Sequence, residues 1–223
     1  MDDPALDPVE HALALKGLQR INRFSRSVQI LLQPILRLAR THSSPEPLRI
    51  LDLATGSGDL PVALSLAAAR AGVRADIHAV DKSETAIRIA REHALARGAP
   101  VTFSTTDLFS DELPNDFDVV TCSLFLHHLD PEPAVELLRK MGRAAKRAAL
   151  VNDLERGHLG FALAYVGTRL LSSSHVVRID GPRSVCGAYT RGEARTLAVA
   201  AGWRDCRVSG CWPCRFLLEW RRS

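Results

Sequence analysis

A chain of 223 residues, 46% of them hydrophobic, is long enough for one α/β domain with a substantial core and short for two independent domains. Its formal net charge of +4 rests on 25 arginines against 4 lysines, spread along helical segments and not packed in one run, a distribution that argues against a dedicated nucleic-acid surface. No basic stretch leads into an apolar one at the acidic N-terminus, and Leu159 to Leu171 is short and interrupted by Arg169, so neither a secretory signal nor a membrane span is expected and the protein should be cytoplasmic and soluble.

From Val9 to Thr41, apolar residues including Leu13, Leu18, Ile21, Phe24, Val28, Leu31, Ile35 and Leu38 recur every three or four positions, which predicts helix. Pro34 lacks a donor N–H and should break or kink that run into two helices. Residues 1–41 thus form a helical cap, Thr41 to Pro47 a linker, and 48–223 the main domain. There the period changes. Leu48 to Leu53 reads as a buried strand feeding the glycine-rich turn Ala54-Thr-Gly-Ser-Gly58, followed by a helix from Leu60 to Ala71 that Ser57 or Asp59 could cap. Strands at Asp76–Val80, Val101–Ser104, Phe117–Cys122 and Ala148–Asn152 alternate with helices at Glu84–Arg97 and Glu132–Ala145. Beyond them come a helical stretch Gly157–Leu171, a loop Ser172–Tyr189, a helix Arg191–Ala200 and strands Trp203–Ser209 and Arg215–Trp220. This alternation predicts a doubly wound, mostly parallel, seven-stranded Rossmann-like sheet with helices on both faces and a helical insertion, about 154–190, after strand five. Cys122, Cys186, Cys206, Cys211 and Cys214 lack the paired spacing of a zinc site, so free thiols and no metal are expected.

In an open parallel sheet, ligands bind beyond the carboxyl ends of the strands where the strand order reverses. The distinctive polar residues all fall at such ends: Asp52, Gly56 and Gly58 after strand one, Asp81 after strand two, Asp107 after strand three, His127 and His128 after strand four, Asn152 and Asp153 at strand five. Glycines at 56 and 58 let the backbone turn sharply and approach a ligand. A dinucleotide fingerprint would want its third glycine at Pro61, and the carboxylates of Asp52 and Asp59 would repel a pyrophosphate but suit a cationic ligand. Asp81 can accept both hydroxyls of a ribose, and Asp107 can accept an adenine amine, although Asp107 could equally cap a turn.

Together, Leu51-Asp-Leu-Ala-Thr-Gly-Ser-Gly58, Asp81 and Asp107 resemble the class I S-adenosylmethionine-dependent methyltransferases over roughly Leu48 to Leu154. The resemblance implies S-adenosylmethionine as methyl donor, S-adenosylhomocysteine as product, and a donor site of Asp52, Ala54, Thr55, Gly56, Gly58, Asp81, Lys82, Thr106, Asp107, Leu108 and Ser123. Asp59 stands where the family usually has a third glycine. Val151 to Arg156, Asp180-Gly-Pro182 and Ala188-Tyr-Thr190 are similar to bacterial small-molecule O-methyltransferases of polyketide and quinone-like metabolism, which implies a phenolic or similar hydroxyl acceptor. Asn152, Asp153, Tyr165, Arg169 and Tyr189 are then the candidate acceptor-binding residues.

Methyl transfer from a sulfonium is an in-line displacement that mainly needs alignment and exclusion of water. A hydroxyl acceptor also needs a base, for which His127 and His128 are the candidates; adjacent side chains diverge, so at most one faces the site. Two other readings stay open at this point: an RNA or protein methyltransferase, and a non-catalytic S-adenosylmethionine-binding module for regulation or scaffolding. Thr121-Cys122-Ser123 offers a nucleophilic cysteine without an evident base or cation beside it, and the Asn/Asp-Pro-Pro-aromatic signature of adenine-amine methylation is absent after strand four. The chain could be monomeric or homodimeric.

Overall fold

The computed structural model describes residues 26–41, 44–171 and 175–222. Residues 1–25 of the expected N-terminal cap lie outside these residues. Seven strands form one sheet: β1 (Leu48–Leu53), β2 (Ala75–Asp81), β3 (Val101–Thr105), β4 (Phe117–Ser123), β5 (Ala145–Leu154), β6 (Arg207–Cys211) and β7 (Arg215–Arg221). Their order is β3-β2-β1-β4-β5-β7-β6, with β7 antiparallel to both its neighbours and the other pairings parallel. The chain first winds outward through β2 and β3 and then returns to β4 beside β1, so the order reverses between β1 and β4, where a doubly wound sheet opens a crevice.

Helices cover both faces. On one, α1 (Ser27–Ala39) sets Leu31, Ile35 and Leu38 against Ile50, Ile77, Val119, Leu150 and Leu217. Beside it, α2 (Asp59–Arg70) and α3 (Glu84–Arg97) bring Val62, Ile87, Ala90 and Ala94 onto Ala79 and Phe103. On the opposite face, α4 (Pro131–Ala144) and α7 (Arg191–Ala200) cover Leu51, Leu53, Val120, Cys122, Val151 and Phe216. Strands buried on both faces explain why β1, β4 and β5 read as continuous apolar runs and do not alternate.

Four details depart from the sequence expectations. Helix α1 runs through Pro34 without dividing. A proline inside a helix costs about 3 kcal/mol. Three side chains buried within a turn of it, each stabilising by roughly 1.5–3 kcal/mol, outweigh that. Second, most of the expected loop Ser172–Tyr189 is helix α6 (His175–Gly187), packed on α5 (His158–Leu171) with Pro182 inside it. Burial of Val177 and Val185 holds it, and a Cβ on Gly181 would lie 2.4 Å from Thr168 Cγ2, so the glycine that suggested a loop is what lets the two helices meet. Third, Trp203 is not strand: it is buried against Trp220, ring centroids 5.7 Å apart, and β6 begins at Arg207. Fourth, the N-cap of α2 is Gly58 in the left-handed conformation, while Ser57 donates its hydroxyl hydrogen to Asp59 at 2.8 Å.

Candidate active site

At the tip of β1, Asp52 is 1% exposed and faces the side of the sheet covered by α1 and α2. Its carboxylate accepts from Thr121 Oγ1 of β4 at 2.6 Å and Thr55 Oγ1 of the loop at 2.8 Å, tying the two strands at the order reversal to the turn that follows. Burial pushes its pKa up to about 6, against the two hydroxyl donors; the nearby Asp81 carboxylate adds to the rise. A carboxyl group that folds into a site raising its pKa from 3.8 stabilises the fold below that value and loses the contribution as pH rises through 6. Asp52→Asn should therefore raise the stability of the ligand-free protein at pH 7.5 by roughly 2–3 kcal/mol, with little change at pH 4. Thermal melts of both proteins at the two pH values measure this, and equal melting temperatures at pH 7.5 would refute it.

The loop itself turns on Ala54, Gly56 and Gly58, all with positive φ. The two glycines do different work. A Cβ on Gly56 would meet nothing within 4 Å, whereas one on Gly58 would come 2.8 Å from Ala90 Cβ and 3.0 Å from Phe103 Cε1. Gly56 leaves room for a ligand at the strand tips; Gly58 lets α2 start hard against α3 and β3. The close packing expected from a glycine at position 61 is supplied three residues earlier. The Gly56 N–H donates to Asp81 Oδ2 at 2.8 Å and the Ser83 N–H to Asp81 Oδ1 at 3.0 Å, so the carboxylate at the tip of β2 is fixed and still has lone pairs for two hydroxyls. Lys82 is exposed beside it.

Thr106 N–H donates to the Asp81 carbonyl at 3.0 Å, which brings the end of β3 over that of β2. Asp107 is exposed and caps the following turn, accepting from Phe109 N–H at 2.9 Å; this backbone bond, followed by one from the Ser110 side chain, holds its pKa below the usual value. Leu108 is buried in the core cluster beneath. The open space at Gly56, the fixed Asp81 and the residues Thr106 to Leu108 lie at successive strand tips along one edge of the sheet.

Past β4, Leu124 takes a positive φ and a short 3-10 turn, Leu126–His128, carries the histidines back toward β5. The turn separates their roles. His127, its side chain 6% exposed, holds its Nδ1 at 2.6 Å from Asp153 Oδ1, while His128 is exposed with its ring centroid 4.1 Å from that of His127. Asp153 is buried, and its oxygens also accept from Leu154 N–H at 2.6 Å and His127 N–H at 3.3 Å. An ionised carboxylate only accepts, so Nδ1 carries the hydrogen and Nε2 is left as the basic nitrogen. Asn152, on the other face of β5, donates to Ser123 Oγ at 2.8 Å.

Of the other expected acceptor residues, Tyr189 reaches the end of the histidine turn, whereas Tyr165 and Arg169 do not. Tyr189 donates its hydroxyl to the Leu129 carbonyl at 2.6 Å, and Tyr165 and Arg169 pair with each other on the exposed side of α5, the guanidinium carbon 3.4 Å from the ring centroid. Cys122 is fully buried; desolvation first, then the Asp153 and Asp52 carboxylates, push its thiol well up, so it is protonated and inert near neutral pH. All five cysteines are free, and no group of metal-ligating side chains occurs among the described residues. No helix among them is long and apolar enough to cross a membrane. Sequence reasoning missed two residues of this edge. Thr121 reads as an ordinary β-branched strand residue, and Arg215 as a solvated charge at the start of an apolar strand.

A sheet in the order 3-2-1-4-5-7-6, with a glycine loop and successive acidic strand tips, defines a doubly wound protein whose strand order reverses where such sheets bind ligands. Residues 50–148 match the family model of a methyltransferase domain. The chain is 31% identical over 140 residues to the ubiquinone biosynthesis O-methyltransferase of Thiobacillus denitrificans, covering 61% of this chain and 57% of that protein. It thus spans little more than half the length of that relative. Magnesium protoporphyrin IX methyltransferase from Synechocystis, solved with bound S-adenosylhomocysteine, superimposes with a TM-score of 0.57 at 19% identity, covering 99% of this chain and 90% of that one. An O-methyltransferase family 2 protein from Planctomyces limnophilus, solved with apigenin, gives a TM-score of 0.68 at 17% identity, with 100% and 64% covered. Over residues 50–148 the chain is thus similar to the class I S-adenosylmethionine-dependent methyltransferases.

Proposed function

We propose that this protein transfers a methyl group from S-adenosylmethionine to the hydroxyl oxygen of a small-molecule acceptor, most simply a phenol. The observation that carries the reading is the His127–Asp153 pair, 2.6 Å apart, on the same edge of the sheet as the Gly56 loop and Asp81. The similarity to ubiquinone biosynthesis O-methyltransferases supports it independently.

Asp81 and the loop Ala54 to Gly58 would hold the ribose and methionine portions, Lys82 and Thr106 to Leu108 the adenine end, and Ser123 the rim next to the reacting methyl. Asp52 acts from behind the loop, fixing Thr55 and setting a negative charge near the sulfonium. The bound donor supplies an electrophilic methyl group. His127 Nε2 takes the hydroxyl proton as the oxygen attacks; the new C–O bond forms while the sulfonium C–S bond breaks, and sulfur keeps the electron pair. Asp153 steadies the imidazolium so formed. His128, exposed on the same turn, has the secondary role of screening that proton from solvent.

The helical pair α5–α6 within residues 154–190 is the lid of the acceptor pocket in this reading, with the helical cap 1–41 beside it, and Tyr165, Arg169 and Tyr189 reach acceptor only as the lid closes. The protein works in the cytoplasm as a monomer or homodimer, with no metal and no nucleic acid. Incubation with labelled donor and a panel of phenols and quinols tests the proposal: label in a small acceptor supports it. Label only in RNA or protein, or donor binding with no transfer at all, would replace it with a macromolecular methyltransferase or a binding module.

A further inference from the structure

Two buried polar groups lie beside the proposed acceptor edge without a use in the mechanism. Arg215, 4% exposed, opens β7 opposite Leu154, the last residue of β5. Among the described residues its guanidinium makes one hydrogen bond, to Ser27 Oγ at 2.8 Å, out of five N–H donors. Asn152 is 0% exposed, and its Oδ1 is buried with no hydrogen-bond partner among the described residues. Strand register places the two together: Asn152 pairs with Leu217, Leu154 with Arg215, and alternation puts Asn152, Arg215 and Leu217 on the same face, the one beneath α1. Both sit at the carboxyl end of β5.

Burying a guanidinium without an ion pair is costly, and so is burying an amide oxygen without a donor. Desolvation brings the Arg215 pKa down to about 10, which leaves it charged at neutral pH; Asp153, on the opposite face, offsets part of the cost at longer range. No hydrogen bond joins the two among the described residues, so the hydrogen-bonding capacity of both is open to a third party. That party must bring an anionic group for a fork of N–H donors. Turning the amide over exchanges its free oxygen for a free NH2, which also suits an anion, because the Ser123 hydroxyl can donate as well as accept.

We propose that Arg215 and Asn152 form a subsite for an anionic hydroxylated acceptor, of the hydroxybenzoate type, with Arg215 and the turned Asn152 amide NH2 taking the carboxylate and the acceptor's hydroxyl left to the base. The subsite rests on the small-molecule reading above and narrows it from phenols in general to phenolic acids.

The test is calorimetric binding at pH 7.5 of 2-hydroxybenzoate and of phenol to the full-length protein saturated with S-adenosylhomocysteine, with transfer to each measured separately. 2-Hydroxybenzoate should bind at least about tenfold more tightly than phenol, since a charge-assisted bidentate contact is worth more than about 1.4 kcal/mol. Arg215→Met should erase that preference. Asn152→Asp, close to isosteric and placing a carboxylate against the anion, should weaken 2-hydroxybenzoate at least tenfold more than phenol, which keeps the proposal testable if Arg215→Met does not fold. Equal affinities in the wild type, binding of neither probe, or a preference that survives both substitutions would overturn it. Anion bound but no acceptor methylated leaves the subsite standing and removes the proposed activity; neutral phenols methylated with no preference for the anion do the reverse.

Discussion

Asp153→Asn should lower kcat for methyl transfer to a phenol by a factor of about 10² to 10⁴ while changing the affinity for S-adenosylhomocysteine little. The carboxylate fixes the ring through a 2.6 Å bond to Nδ1, and in the proposed mechanism its charge stabilises the imidazolium once Nε2 has taken a proton. Asparagine keeps the size and loses the charge. Its amide can also present an N–H to Nδ1, which would move the ring hydrogen to Nε2 and remove the base. Because Asp153 acts through His127, the substitutions should not add: His127→Ala and the double variant should both fall to about the same residual rate. Single-turnover rates of the three variants with a saturating acceptor decide the matter. A wild-type rate in Asp153→Asn, or losses that multiply, would show that the pair is only a structural bond.

Gly58→Val should unfold the protein or cost more than about 3 kcal/mol, whereas Gly56→Val should leave a folded chain that no longer takes up the donor. Both positions have positive φ, 73° and 55°, so each substitution bears a left-handed penalty of about 1–2 kcal/mol. The difference lies in what the new side chain meets. At position 58 even the Cβ overlaps Ala90 Cβ at 2.8 Å, and the Ala90 backbone at 3.2 Å cannot move without shifting α3, so overpacking adds another 1–3 kcal/mol or more. At position 56 the Cβ is clear of protein within 4 Å and occupies the space where the ligand would lie. Denaturant melts and donor-product calorimetry on the pair separate the two effects. A Gly58 variant as stable as wild type, or a Gly56 variant with unchanged affinity, would contradict the division of labour.

The proposed donor side of this protein is legible in the chain because each of its parts is local. A strand that ends in a glycine turn, with an acidic residue at the tip of the next strand, is written in a few contiguous residues, and Asp52, Gly56, Gly58 and Asp81 lie at the carboxyl edge as their spacing implies. Even so, Gly56 and Gly58 look alike in sequence. Only the approach of Ala90, thirty-two residues downstream, tells the glycine in open space from the packing glycine.

The acceptor side is not local. Nothing in Leu126-His-His128 distinguishes the two rings; the 3-10 turn sends one toward Asp153 and the other outward. Tyr165, Arg169 and Tyr189 are polar and aromatic residues in the right segment, yet they satisfy one another or a backbone carbonyl. The loop expected over 172–189 failed for the same reason: glycine and proline are strong local signals, and the contact with Thr168 overrides them.

The sequence alone determined the alternation of strands and helices, the reversal of the sheet, and the acidic and glycine residues that line its edge, because a periodicity and a turn are properties of neighbouring residues. Tertiary structure alone decided which histidine meets a carboxylate and that Arg215 and Asn152 lie together at the end of β5. Those pairings join residues 26 to 63 positions apart, and they are fixed by strand order, register and the face of the sheet each side chain takes.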